Sequence, residues 1–179
     1  KEMENLVEYM EGAAPENDVN DNPDNQLIHG DGTSYGLELF LKKRTGKLTG
    51  WIGYTWSKTT RIFEGINQGF EFPAKYDRRH DLSIILTQKL GEKWTLGAAF
   101  VYATGNAVTL PVSRYTIEGR VIDEYGERNS YRMIPYHRAD VSATYTPNKT
   151  KTSIDPVTGE ETAVKKRFQS SWAFSVYNL

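Results

Sequence analysis

The chain has 179 residues and no cysteine. Disulfide frameworks, thiolate metal sites and cysteine nucleophiles are therefore excluded. It also has no excess of charge: 22 Lys and Arg stand against 23 Asp and Glu, a net −1. Nothing in that balance points to nucleic acid. No apolar run approaches the roughly 18 residues of a membrane helix. A membrane protein made of strands is still allowed, because a barrel strand shows lipid only half of its residues. There is no Ser-His-Asp order with a nucleophile elbow, no P-loop and no GxGxxG turn. The three histidines, His29, His80 and His137, are far apart and none is spaced i, i+4. No leader-like segment is visible. The chain starts at Lys1 without methionine and stops inside a strand-like pattern at Ser175-Val176-Tyr177-Asn178-Leu179. It is expected to be an internal piece of a longer protein.

What is present is aromatic and two-faced. Aromatic residues make up 12%, with 11 Tyr and 4 Trp, ring chemistry that suits a water–lipid boundary. From Leu48 to Ser57 alternate residues read Leu48, Gly50, Ile52, Tyr54, Trp56 on one side and Thr49, Trp51, Gly53, Thr55, Ser57 on the other. Strand side chains alternate between faces, so one face is apolar with aromatic ends and the other mostly small or hydroxylated. Thr33 to Lys42 repeats the pattern, with Tyr35, Leu37, Leu39 and Leu41 opposite Ser34, Gly36, Glu38, Phe40 and Lys42. Thr45-Gly46-Lys47 joins the two as a hairpin.

A second hairpin runs from Asp77 to Tyr102 through Gly91-Glu92-Lys93. Its faces carry Leu82, Ile84, Leu86 and then Trp94, Leu96, Ala98, Phe100, Tyr102. A last pair starts at Tyr136 and ends around Tyr177, with Pro147 closing the first of its strands. Residues 1–10 are compatible with a short strand or a helical turn. Gly12 to Asp31 has loop chemistry, rich in Asn, Asp, Pro and Gly. Arg61–Tyr76 and Thr104–Pro135 read as long polar connections. The short, long, short, long order matches outer-membrane barrels, which have tight periplasmic turns and long surface loops. Lys149–Lys166 is long where a short turn is expected, and reads as a solvated hairpin. Asn148-Lys149-Thr150 matches a glycosylation sequon. The expected fold class is all-β: an antiparallel meander of long amphipathic strands, an open segment of a transmembrane β-barrel, with six to eight strands and an exposed apolar face.

Tyr76-Asp77-Arg78-Arg79-His80-Asp81 places a histidine among carboxylates. Two guanidinium groups beside them disfavour a metal. An Arg–carboxylate network fixing the start of a strand is the better reading. In Tyr136-His137-Arg138-Ala139-Asp140, Arg138 and Asp140 share the polar face; inside a barrel they would pair across strands or touch cargo, and structural pairing is the better reading.

These pieces occur in an order that resembles a family. Thr33-Ser34-Tyr35-Gly36-Leu37-Glu38 is followed by the Lys42–Thr55 hairpin, by Arg61-Ile62-Phe63 with Ile66-Asn67-Gln68-Gly69, and by Tyr76–Asp81. Then come Tyr102–Pro111, Tyr136–Asp140 and Trp172–Asn178. The series is similar to the C-terminal barrel region of TonB-dependent outer-membrane receptors of the Bacteroidetes type. The resemblance covers nearly all of residues 1–179 and implies a partial barrel, with the plug domain and the final strand absent. It implies about 22 strands around a plugged lumen in the whole assembly. It further implies energy-coupled uptake of a scarce ligand, with no bond made or broken, no catalytic residue, no metal and no cofactor. The implied partners are outer-membrane lipid, a TonB complex acting through the absent plug, and a small-molecule, glycan or peptide ligand; nucleic acid is not among them. The implied location is the outer membrane of a Gram-negative bacterium. A passive outer-membrane barrel or adhesin, and a soluble carbohydrate-binding β-protein, are the alternatives. Ligand contact is expected from the long loops and the upper polar face, with Asn67, Gln68, Arg114, Tyr115, Arg120 and Arg138 as candidates.

Overall fold

A computed structural model describes residues 1–11, 22–117, 119–147, 150–154 and 159–179. Strand makes up 65% of the described residues and helix 4%, so the fold is all-β. The strands are β1 (Glu2–Tyr9), β2 (Leu27–Lys43), β3 (Leu48–Ile62), β4 (Phe72–Pro73), β5 (His80–Leu90), β6 (Trp94–Ala103) and β7 (Ala107–Val108). They continue as β8 (Pro111–Ile117), β9 (Arg120–Tyr125), β10 (Tyr131–Arg132), β11 (Tyr136–Tyr145), β12 (Thr150–Ile154), β13 (Glu161–Lys165) and β14 (Trp172–Val176). The main antiparallel sheet has the order β1-β2-β3-β5-β6-β11-β14, with β4 folded back on β3. The pairs β7–β10, β8–β9 and β12–β13 form small ribbons. Among the described residues the sheet does not close.

Two turns explain the hairpins. Gly46 and Gly91 sit at φ +96° and +64°, where a Cβ would be strained. The strands themselves depart from sequence expectation at their ends. β2 begins at Leu27, six residues before the apolar alternation. Its first part, with His29, Gly30 and Asp31, has no alternation of its own. It is extended because β1 pairs with it, from Tyr9↔Leu27 to Glu2↔Thr33. Residues 1–10 thus resolve as a strand, bulged between Met3 and Leu6, where Asn5 takes φ +57°. Within Gly12–Asp31, Pro23–Gln26 is a 3-10 turn and Leu27–Asp31 is strand; residues 12–21 lie outside the described set. β5 starts at His80 and not at Asp77. β12 and β13 form the hairpin expected within Lys149–Lys166, paired from Thr150↔Lys165 to Ile154↔Glu161. The centre of that hairpin, residues 155–158, lies outside the described residues, as do two of the three sequon positions, 148 and 149.

The packing divides the chain into two compact units. The first holds residues 1–39, 54–81 and 102–136; the second holds 40–53, 82–101 and 137–179. β2 and β3 run through both. In the first unit Phe63, Ile66 and Phe72 are buried and pack with Leu6 and Ile28. Burial of such a side chain contributes about 1.5–3 kcal/mol. The reading of Arg61–Tyr76 as a polar connection is therefore corrected. Phe63, Ile66 and Phe72 form a small core there, because β4 folds back and pairs Thr60↔Pro73 and Arg61↔Phe72.

The second unit keeps its apolar face exposed. Leu48, Leu86, Leu96, Val141, Phe174 and Val176 border a shallow apolar groove of about 480 Å³. The register Val141↔Val176, Ala143↔Phe174, Tyr145↔Trp172 puts one apolar row on one side of β11 and β14. Phe174 is 61% exposed and, in the first unit, Leu39 is 55% exposed. Leu37, Ile52, Leu86 and Val141 are exposed too, while Tyr54, Ile84 and Phe100 are half-buried. Trp94 meets Tyr145 at 4.9 Å between ring centroids, beside the tight turns. Tyr35 and Trp56 also pair, at 5.9 Å, but in the middle of their strands and not at an end. Beyond them β2 and β3 turn polar and continue.

A close approach in the first unit yields a prediction. A Cβ at Gly30 would collide with the carbonyl oxygen of Ile62 and the ring of Phe63. Gly30→Ala is expected to destabilise the first unit by about 1–3 kcal/mol. A drop in the urea midpoint, read by protease resistance of residues 54–81, would register it.

Candidate functional site

The chemistry of the first unit converges on Asp77. Its side chain is buried, with the residue 1% exposed. Ala74 turns the chain here, its carbonyl accepting from the Asp77 N–H at 2.9 Å. One carboxylate oxygen accepts from the Thr59 backbone N–H at 2.7 Å. The other accepts from Arg132 Nη2 at 2.6 Å and Arg79 Nη2 at 3.4 Å. Arg132 Nη1 also donates to the carbonyls of Asp77 at 2.5 Å and of Gly105 at 3.1 Å. The expected Arg–carboxylate network at the start of β5 is thus present. Its strongest member, Arg132, comes from a segment 55 residues away. Arg78 sits outside the cluster, 3.7 Å from Asp81 and bonded to Asn106 at 3.2 Å. His80 takes no part either. Its Nδ1 shares a hydrogen bond of 2.8 Å with the Tyr54 hydroxyl, and its backbone N–H donates to Thr104 Oγ1.

A second set of contacts joins the two long connections. Asn67 is at φ +50° in the 3-10 turn Asn67–Gly69. Its Oδ1 accepts from the Arg128 N–H at 2.6 Å, and its Nδ2 donates to the Arg128 carbonyl at 3.1 Å. Asn129 Nδ2 donates to the Pro73 carbonyl, while its N–H donates to Thr109 Oγ1. Arg128 reaches Glu8 at 3.7 Å and the Tyr9 carbonyl at 3.1 Å, tying β1 to the same place. The β8–β9 ribbon leaves from this base, and Thr104–Pro135 is a folded arm with a fixed root.

The sequence-derived candidates divide accordingly. Asn67 belongs to the clasp and is committed to Arg128. Gln68 beside it is exposed at φ +57°. Arg114, Tyr115 and Arg120 all lie on the β8–β9 ribbon and are exposed. Arg114 is held by Asp123 across the ribbon, Nε to Oδ1 at 2.5 Å. That hydrogen bond, reinforced by the charges, raises the Arg114 guanidinium and holds the Asp123 carboxyl below the usual range. Arg138 lies in the second unit. It donates to Asp140 Oδ1 at 2.9 Å, a pair within β11 and not across strands, and sits over the Tyr177 ring at 5.9 Å. Asn178 N–H donates to the same oxygen. The structure thus brings Asn67 to the root of the arm that carries Arg114, Tyr115 and Arg120, and keeps Arg138 with β14. Arg128, Asn129 and Arg132 were missed from sequence; the run Glu127-Arg128-Asn129-Ser130-Tyr131-Arg132 carries no short-range signal of its long-range partners.

The arrangement positions an arm and leaves its side chains to meet whatever approaches. Among the described residues no three His, Asp or Glu side chains are grouped to hold a metal ion. What the fold and the site define is an open antiparallel β-sheet with a loop arm clasped to it. Comparison with known proteins finds no matching family model, curated protein or solved structure.

Two predictions follow from these contacts. Arg132→Met leaves the Asp77 carboxylate buried beside a weaker partner and is expected to cost about 3 kcal/mol. Limited proteolysis between residues 104 and 135 should accelerate, whereas Arg78→Met, at an exposed pair, should change stability by less than about 1 kcal/mol. The Asp123 carboxyl, lowered in the folded ribbon, contributes stability that is complete above the ordinary carboxylate pKa of about 3.9. That contribution is lost as the pH falls through the lower folded value. Asp123→Asn should remove this contribution at neutral pH, speeding the ribbon's amide exchange there, and erase this part of its acid dependence.

Proposed function

We propose that the chain is a wall segment of an outer-membrane β-barrel, and that the barrel is a TonB-dependent receptor for energy-coupled uptake of a scarce ligand. The observation that carries the reading is the exposed apolar row of long strands. β5, β6 and β11 have 11, 10 and 10 residues. A tilted transmembrane strand needs about 9–11. In water, a patch bounded by Leu48, Leu86, Val141 and Phe174 is a liability; in lipid it is satisfied. A soluble sandwich would bury the same row. The ring cluster Trp94, Tyr145 and Trp172 beside the tight turns supports a lipid boundary at that end. The ordered series of motifs resembling the receptor family supports the choice of a receptor over a passive barrel. In this reading the β8–β9 arm belongs to the ligand-facing surface, with Gln68, Tyr115 and Arg120 as its exposed chemistry, and Asn67 serves its root.

Single-tryptophan variants in vesicles containing brominated lipids test the membrane assignment. Trp94 and Trp172 are expected to be quenched by shallow labels, and Trp51, on the polar face, to be protected from all of them. Equal quenching of Trp51 and Trp94 would remove the two-faced reading. For cargo, deleting Val112 to Glu124 in the full receptor keeps the anchors Arg128, Asn129 and Arg132. Ligand affinity is expected to fall at least about tenfold, roughly 1.4 kcal/mol, in a correctly inserted barrel.

A further inference from the structure

We propose that the turn end of the second unit docks on an anionic phospholipid surface, a proposal that rests on the membrane-spanning reading above. Charge is the first observation. The whole chain is nearly neutral, but its two units are not. The second unit carries twelve Lys and Arg against five Asp and Glu, a net +7, while the first carries ten against eighteen, a net −8. The −1 of the whole chain conceals this polarity.

Position is the second observation. Lys42, Lys43, Arg44 and Lys47 surround the β2–β3 turn and all are exposed. The Lys89 N–H donates to the Lys47 carbonyl at 2.8 Å, bringing β5 to the same end. The Thr146 N–H donates to the Lys93 carbonyl at 2.7 Å and brings the end of β11 there too. Reading along β11 and β14 toward this end gives Ala143 with Phe174, then Tyr145 with Trp172, then Thr146 with Ser171. Apolar groove, aromatic rings and cationic or hydroxylated groups therefore follow one another in the order in which a bilayer presents acyl chains, interface and headgroups. Beyond the rings a polar pocket of about 380 Å³ is bordered by Thr146, Lys166, Gln169, Ser170 and Ser171. An ammonium with several hydroxyl and amide donors is suited to a phosphodiester oxygen. A row of lysines on a solvated turn needs no apolar groove or ring belt beside it; an anchored headgroup surface uses all three.

Binding of the whole chain to phosphatidylcholine vesicles with and without phosphatidylglycerol is the test. A basic side chain at an anionic membrane contributes roughly fivefold in affinity. The chain is expected to prefer the anionic vesicles at least about 25-fold at low salt, and to lose that preference when salt shortens the screening length to about 3 Å. K42Q/K43Q/R44Q/K47Q should lose most of it, and K58Q/K75Q, which removes charges of the other unit, should keep it. Inorganic phosphate at matched ionic strength should not compete. Retained preference in the quadruple variant, equal loss in the control, or displacement by phosphate overturns the proposal. A chain that inserts equally well into both vesicles overturns the headgroup proposal alone. One that binds neither and stays soluble without detergent overturns the membrane-spanning reading as well.

Discussion

The buried carboxylate of Asp77 is the point on which the first unit depends. A charge taken out of water is costly unless paired and hydrogen-bonded. Here it receives Thr59 from β3, Arg79 beside the start of β5 and Arg132 from β10. No one of these segments has much apolar surface to offer the others. The core of Phe63, Ile66 and Phe72 is small. Three segments distant in sequence therefore meet around one acid, and Arg132, with the Asn67–Arg128 and Asn129–Pro73 contacts, gives the arm between Thr104 and Pro135 its root.

The second unit is organised by a different constraint. Its strands are regular and its connections at the turn end are tight at Gly46 and Gly91, so backbone hydrogen bonds are satisfied within the sheet. What is left unsatisfied is the apolar row. A surface of this kind demands either a second layer of protein or a nonaqueous solvent. Lys42, Lys43, Arg44 and Lys47 cluster about the β2–β3 turn, so the same unit that presents the row also presents charge at its turn end.

Much of this was legible in the sequence. Alternation of period two located β3, β5, β6 and β11 with their faces, because a half-exposed sheet writes its pattern directly into residue order. The shared face of Arg138 and Asp140 was legible for the same reason, but they pair with each other within β11 and not across strands as expected. The first part of β2 was not, since its extension comes from pairing with β1 and not from its own residues. Nor was the fold of Arg61–Tyr76: the three apolar side chains it buries, spread over ten residues, resemble loop composition until β4 folds back. The clasp between Asn67 and Arg128 was invisible because both partners contribute polar atoms of a kind that any surface loop carries. Asn67 was singled out as a ligand contact and turns out to be spent on its own chain.

That clasp has a consequence for variation. Asn67 addresses the main-chain N–H and carbonyl of Arg128, Asn129 addresses the carbonyl of Pro73, and Arg132 addresses the carbonyls of Asp77 and Gly105. None of these bonds reads a side chain of the β8–β9 ribbon. The ribbon can therefore be rewritten from Val112 to Glu124 while its mounting stays the same, much as an interchangeable tool fits one socket.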